Sequence, residues 1–117
     1  MRIIRCKPGE APEICEIENT LEALQAEVGG YIEHVQLAPG VGLLCNEEGK
    51  LLDLPLNLIL RNEPFAGTIL ILGTKGEEFC DLSLAQCSRW KGEILQGREY
   101  ARPLLRELEK RGGWASL

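Results

Sequence analysis

A single histidine bounds the chemistry open to this chain. His34 follows Glu33, and the two are its only adjacent carboxylate and imidazole. In an extended strand successive side chains point to opposite faces, so this pair forms no dyad without a bulge. Nucleophile chemistry needs a base beside a Ser or Cys. With one histidine and no nucleophile elbow, no triad is expected. The five cysteines, Cys6, Cys15, Cys45, Cys80 and Cys87, are odd in number and lack CxxC spacing. That pattern predicts no zinc site and no disulfide framework, but reduced, mostly buried thiols acting as small hydrophobes. Gly40-Val41-Gly42 is a turn entering a strand, not a glycine-rich loop leading to a helix, so the dinucleotide-binding context is missing. The expectation is a protein that is not an enzyme and holds neither cofactor nor metal.

The remaining polar positions point to binding. Glu33 shares a strand face with Tyr31, Val35 and Leu37. If that face is core, its carboxylate needs a partner; otherwise it lies at the rim. Asn57 sits in the apolar stretch Leu54 to Leu60, where an amide fixes a loop or meets a ligand. Glu47-Glu48 and Glu77-Glu78 are acidic doublets in turns. Residues 1–85 hold 6 Lys/Arg and 14 Asp/Glu, or −8; residues 86–117 hold 7 and 4, or +3. An acidic body repels nucleic acid and suits a basic groove on a protein partner. In the basic tail Arg98, Arg102, Arg106 and Lys110 recur every four residues. If the segment is helical throughout, that spacing lines them along one face, away from Leu104, Leu105 and Leu108; if Pro103 interrupts it, the stripe is Arg106, Lys110 and Arg111 with Arg102 at the cap. Trp114, after Gly112-Gly113, is read as exposed or docked on a neighbour.

The elements that position these residues follow from periodicity and caps. Arg2–Cys6 and Glu13–Ile17 read as an antiparallel strand pair around the Pro8-Gly9 turn. Asn19, with Glu22, is the expected cap of a helix over 20–28 that ends at Gly29. Tyr31–Leu37 and Val41–Asn46 read as strands. Leu51–Leu54 continues as a short strand, and 55–62 is irregular or a single helical turn. Thr68–Leu72 is a short apolar run, as in a central strand buried on both faces. Phe79–Leu82 is a final strand. Ser83 with Gln86 forms a capping box, and Leu82 packs on Cys87. Two helices are expected beyond it, the second starting at Pro103. The 117 residues suffice for one core, with 1–95 an α+β domain and 96–117 a C-terminal helical extension around a boundary at Gln96-Gly97.

The fold class is therefore α+β. A mostly antiparallel sheet of five or six strands has one helix across it and C-terminal helices beside it. Met1 to Glu13 has a Pro-Gly break and acids where a signal peptide would be apolar, and no apolar run reaches the roughly 20 residues of a membrane span. A cytoplasmic protein without membrane contact is expected.

The order Pro8-Gly9, Thr20 to Gln25, Val28 to Glu33, Asn46 to Lys50 and Leu54 to Asn57 resembles the family catalogued as domain of unknown function 3846. The likeness runs from about Arg2 to Leu84. The resemblance implies proteins of phages, plasmids and conjugative elements, and carries no catalytic residues over. It implies accessory roles, among them blocking host defences such as CRISPR nucleases. The leading expectation is thus an anti-CRISPR-like inhibitor of a host nucleic-acid-targeting protein. It would bind a nuclease, for example one of Cas9 type, without touching nucleic acid itself. Partner contact is assigned to Glu47, Glu48, Glu77, Glu78, Arg106, Lys110 and Trp114, with Glu33 and Asn57 as special polar positions. Two alternatives stand beside it: a small-ligand or nucleotide-binding module, and a structural or regulatory homo-oligomer, such as a homodimer, whose edge strands pair.

Overall fold

A computed structural model describes residues 1–116. The strands are β1 (Arg2–Cys6), β2 (Glu13–Glu16), β3 (Ile32–Ala38), β4 (Val41–Asn46), β5 (Leu56–Leu60), β6 (Glu63–Ala66), β7 (Ile69–Lys75) and β8 (Glu78–Cys80). The helices are α1 (Leu21–Val28) and α2 (Leu84–Arg111), followed by a 3-10 turn at Trp114–Ser116. Six strands form one antiparallel sheet in the order β2-β1-β7-β4-β3, with β8 pairing the far half of β7. This is the expected α+β class, with a helix on each side of the sheet.

The apolar run 69–72 is the centre of that sheet, fully buried on both faces. Alternation sends Leu70 and Leu72 to one face, where they meet Ile3, Leu44 and the α1 residues Leu24 and Val28. It sends Ile69 and Ile71 to the other, where they meet Leu43, Phe65, Trp90 and Ile94. Helix α1 is fastened to β1 by a two-pronged ion pair, with Arg5 Nε donating to Glu27 Oε2 at 2.7 Å. Hydrogen bonding from Arg5 holds the Glu27 carboxyl below its usual range.

Four local expectations are corrected. The α1 cap is Thr20, whose hydroxyl accepts from the Ala23 amide at 3.1 Å. Asn19 instead donates to the Phe79 carbonyl and ties the helix entry to β8. Gly29 does close the helix, in the left-handed conformation. Residues 51–53 are turn, not strand, and Leu51 is 84% exposed. The stretch beginning at Pro55 is not irregular or helical: it is the first arm of the β5–β6 hairpin. Arg61 and Asn62 both take positive φ, 54° and 64°, the pattern of a two-residue type I′ turn.

Finally, the two expected C-terminal helices are one. Helix α2 runs from its Ser83–Gln86 capping box through Gly92, Gly97 and Pro103 to Gly112. Pro103 removes one helical hydrogen bond. The turns around it are held by tertiary contact, because Ala101 and Leu108 are buried against Leu56. Gly97 lies inside α2 and is a contact point. A Cβ there would lie 2.6 Å from the Ile59 carbonyl oxygen, so only glycine lets α2 rest on β5.

Candidate functional site

Hairpin β5–β6 lies over the Leu43–Cys45 face of the sheet and leaves a cavity of about 280 Å³ beside β6 at one end of it. Cys45 and Phe65 contribute to its walls, and the carboxylate residues Glu33, Glu47, Glu48 and Glu63 surround it. Glu33 reaches this place because it pairs with Cys45 across β3–β4. Glu63 comes from the opening of β6, and Glu47 and Glu48 from the turn after β4. The Asn46 side chain fixes that turn. Its amide donates to the Val28 carbonyl and its oxygen accepts from the Glu48 amide at 2.8 Å. Gly49 is needed beneath, since a Cβ would stand 2.9 Å from the Ala66 carbonyl oxygen. Burial, with the Glu33 and Glu63 charges, pushes the Cys45 thiol up to about 11. Lys50 also lines the cavity, with its ammonium 5.5 Å from the centroid of the Trp114 ring. Carboxylates over an apolar floor favour a cationic group with an aliphatic stem, such as lysine or arginine.

The hairpin carrying Glu63 is anchored by Asn57, which is 5% exposed. Its amide donates to the carbonyls of Cys6 and Gly67, each at 2.8 Å, and its oxygen accepts from the Cys6 thiol and from Arg98. The Arg98 guanidinium also donates to the Lys7 carbonyl at 2.6 Å and to the Glu10 carbonyl. Arg98 therefore leaves the expected basic stripe and clasps α2 to the β1–β2 turn. Its inward course follows from Gly97, which brings the helix down onto β5 at the preceding position.

The other predicted residues lie apart. Glu77 and Glu78 are exposed at the β7–β8 turn. Val41 pairs with Gly73 and Leu44 with Leu70, so that turn is at the opposite end of the sheet from Glu47. Extending that register puts Glu47 level with residue 67 while Glu78 pairs with Lys75, a separation of about eight residues along the ladder, roughly 26 Å. Arg106 and Lys110 are exposed on the distal half of α2. Trp114 is half-buried and bound within its own chain: its indole donates to the Leu54 carbonyl at 2.8 Å and its amide to Asp53. His34 is exposed and meets Phe79 edge-on, ring centroids 5.3 Å apart. Among the described residues, no three His, Cys, Asp or Glu side chains are grouped to hold a metal, and no helix is long and apolar enough to cross a membrane. Glu63 and Arg98 are the site and anchor residues that sequence reading missed.

No curated protein and no solved structure matches the chain. A family model does match, over residues 1–95, and its end falls inside α2. Over most of its length, then, the chain belongs to the family described as Domain of unknown function (DUF3846).

Proposed function

We propose that the protein is a non-enzymatic binding protein of a phage or mobile element. It uses the acidic end of its sheet to occupy a basic surface of a host nucleic-acid-targeting defence protein, with a Cas9-type nuclease as the concrete candidate. The observation supporting this reading is the convergence of Glu33, Glu47, Glu48 and Glu63 around one cavity with an apolar wall. Leu51, almost wholly exposed at its rim, adds an apolar contact of the kind protein interfaces use. Complementary charge speeds association and fixes orientation, and salt screens it over about 8 Å at physiological strength.

The test is a competition experiment. The protein and guide-loaded or target DNA are titrated against a Cas9-type nuclease at several salt concentrations. Displacement of nucleic acid, weakening as salt rises, is expected. Unchanged nucleic-acid binding at saturating protein rejects this partner.

A second reading rests on a different place. The groove between the β5–β6 turn and α2 has a volume of about 610 Å³ and is lined by Arg61, Trp90, Glu93 and Tyr100. That is the scale of a small-ligand site. Native mass spectrometry of the purified protein would reveal a retained ligand.

A further inference from the structure

Strand β3 ends the sheet, and among the described residues no strand lies on its outer side. The Glu47 amide donates to the Tyr31 carbonyl at 2.9 Å, which makes this a hydrogen-bonded antiparallel pair. Such pairs alternate, so Glu33 and Val35 direct their backbone groups to β4. Ile32, His34 and Gln36 direct theirs outward. The bulge between Gln36 and Ala38 ends the regular edge. The strand carries neither lysine nor internal proline, two of the devices that keep an edge from pairing; its bulge lies at the far end, and its one inward charge, Glu33, is the group a basic side chain would meet.

Side chains add a second constraint. Val35 and Leu37 pack with the Leu43–Phe65 core, and Glu33 shares their face by alternation. Glu33 is thus where the open edge meets the acidic cavity. A strand added to β3 would place one side chain beside Glu33, at the mouth shared with Glu63.

We propose that the β3 edge is a strand-addition site for an extended basic segment of a partner protein, paired antiparallel, with one lysine or arginine entering the Glu33–Glu63 cavity. Main-chain bonds supply the docking and the carboxylates select the register. This deepens the reading of a basic protein partner and rests on it. Charge decides the occupant: a second copy of this chain would bring a net −5 and its own acidic rim against the same edge. Antiparallel addition continues the pattern of the whole sheet.

The probe is an eight-residue peptide of alternating valine and lysine, capped at both ends. Binding is followed by NMR shifts and hydrogen exchange of the Ile32, His34 and Gln36 amides. With lysines on the cavity face, the valine amides are those pointing at β3. Methylating the valine nitrogens should weaken binding at least about tenfold; methylating the lysine nitrogens should leave it within about threefold. Any other ranking of the two overturns the antiparallel site. Replacing lysine by glutamate in the peptide should abolish binding. Combining Glu33→Gln with Glu63→Gln should weaken the lysine peptide about tenfold, and an unchanged affinity would remove the cavity from the proposal. No shift at millimolar peptide, or a dimer that protects the same amides without peptide, overturns it outright. Peptide binding without nucleic-acid displacement on the nuclease discards the function and keeps the site. Displacement that survives both the Gln pair and a His34→Pro edge block discards the site and keeps the function.

Discussion

Glu47-Glu48 and Glu77-Glu78 are the same doublet in similar places, the first in the turn after β4, the second across the β7–β8 turn with Glu78 opening β8. They differ in what the fold brings to them. The first borders a cavity to which Glu33 and Glu63 also contribute, with Phe65 in its wall. The second stands alone on the short β7–β8 hairpin at the far end of the sheet. Charge along the chain is a local property, whereas a binding site is a convergence. Strand register decides convergence, because it sets which ends of which strands are neighbours. One ligand-sized basic groove could be met by the first doublet or the second, but the two do not form a single patch.

The largest expected effect tests that difference directly. Reversing Glu33 and Glu63 to Lys should weaken a basic partner by about 2 kcal/mol, some thirtyfold. Reversing Glu77 and Glu78 should cost no more than about threefold, through the long-range field alone. Both variants should keep the wild-type urea midpoint closely, since these side chains are exposed and surface charges contribute little to folding. Equal losses in the two pairs would mean that overall acidity acts, not the cavity.

The next effect concerns what holds the cavity end together. Asn57→Ala removes two amide donors from buried carbonyls and the acceptor facing Cys6 and Arg98. Leaving such groups unpaired should cost about 1–3 kcal/mol of stability. Arg98→Met keeps the aliphatic stem and removes the clasp, and should cost less because its carbonyl partners at Lys7 and Glu10 lie in an exposed turn. Chemical denaturation reads both. If Asn57→Ala left the midpoint unchanged, the hairpin would not depend on this network.

Much of the scaffold was legible and much of the site was not, for a shared reason. The central strand, the Ser83 capping box and the Gly29 helix end are written in short windows, where hydrophobic runs and caps act locally. Hairpin β5–β6 was not, because Pro55, Asn57 and Pro64 interrupt its alternation, and its turn is Arg61-Asn62 without glycine. Missing the hairpin meant missing Glu63. Thr20 and Asn19 are both competent caps one residue apart; in the fold Thr20 takes the cap while the Asn19 amide goes to the distant Phe79 carbonyl. Arg98 looked like one step of a basic stripe. Gly97 was the available signal, since a glycine in mid-helix can mark close backbone approach as well as a boundary.

The smallest effect is also the most local. Cys45 is 6% exposed and pairs with Glu33 across the sheet. Its thiol is pushed up to about 11, first by burial and then by the charges of Glu33 and Glu63. Removing those charges favours the thiolate, so Glu33→Gln with Glu63→Gln should lower the value. The fall should be only partial, because burial is the larger cause and stays. Glu77→Gln with Glu78→Gln, at the far end, should leave it where it is. Carbon-13 shifts of labelled cysteine, followed through alkaline pH, measure this without a reagent that has to enter the core. A titration of Cys45 unmoved by the first pair would place those carboxylates too far from the thiol to share one cavity, and the contrast between the two ends of the sheet would lose its electrostatic basis.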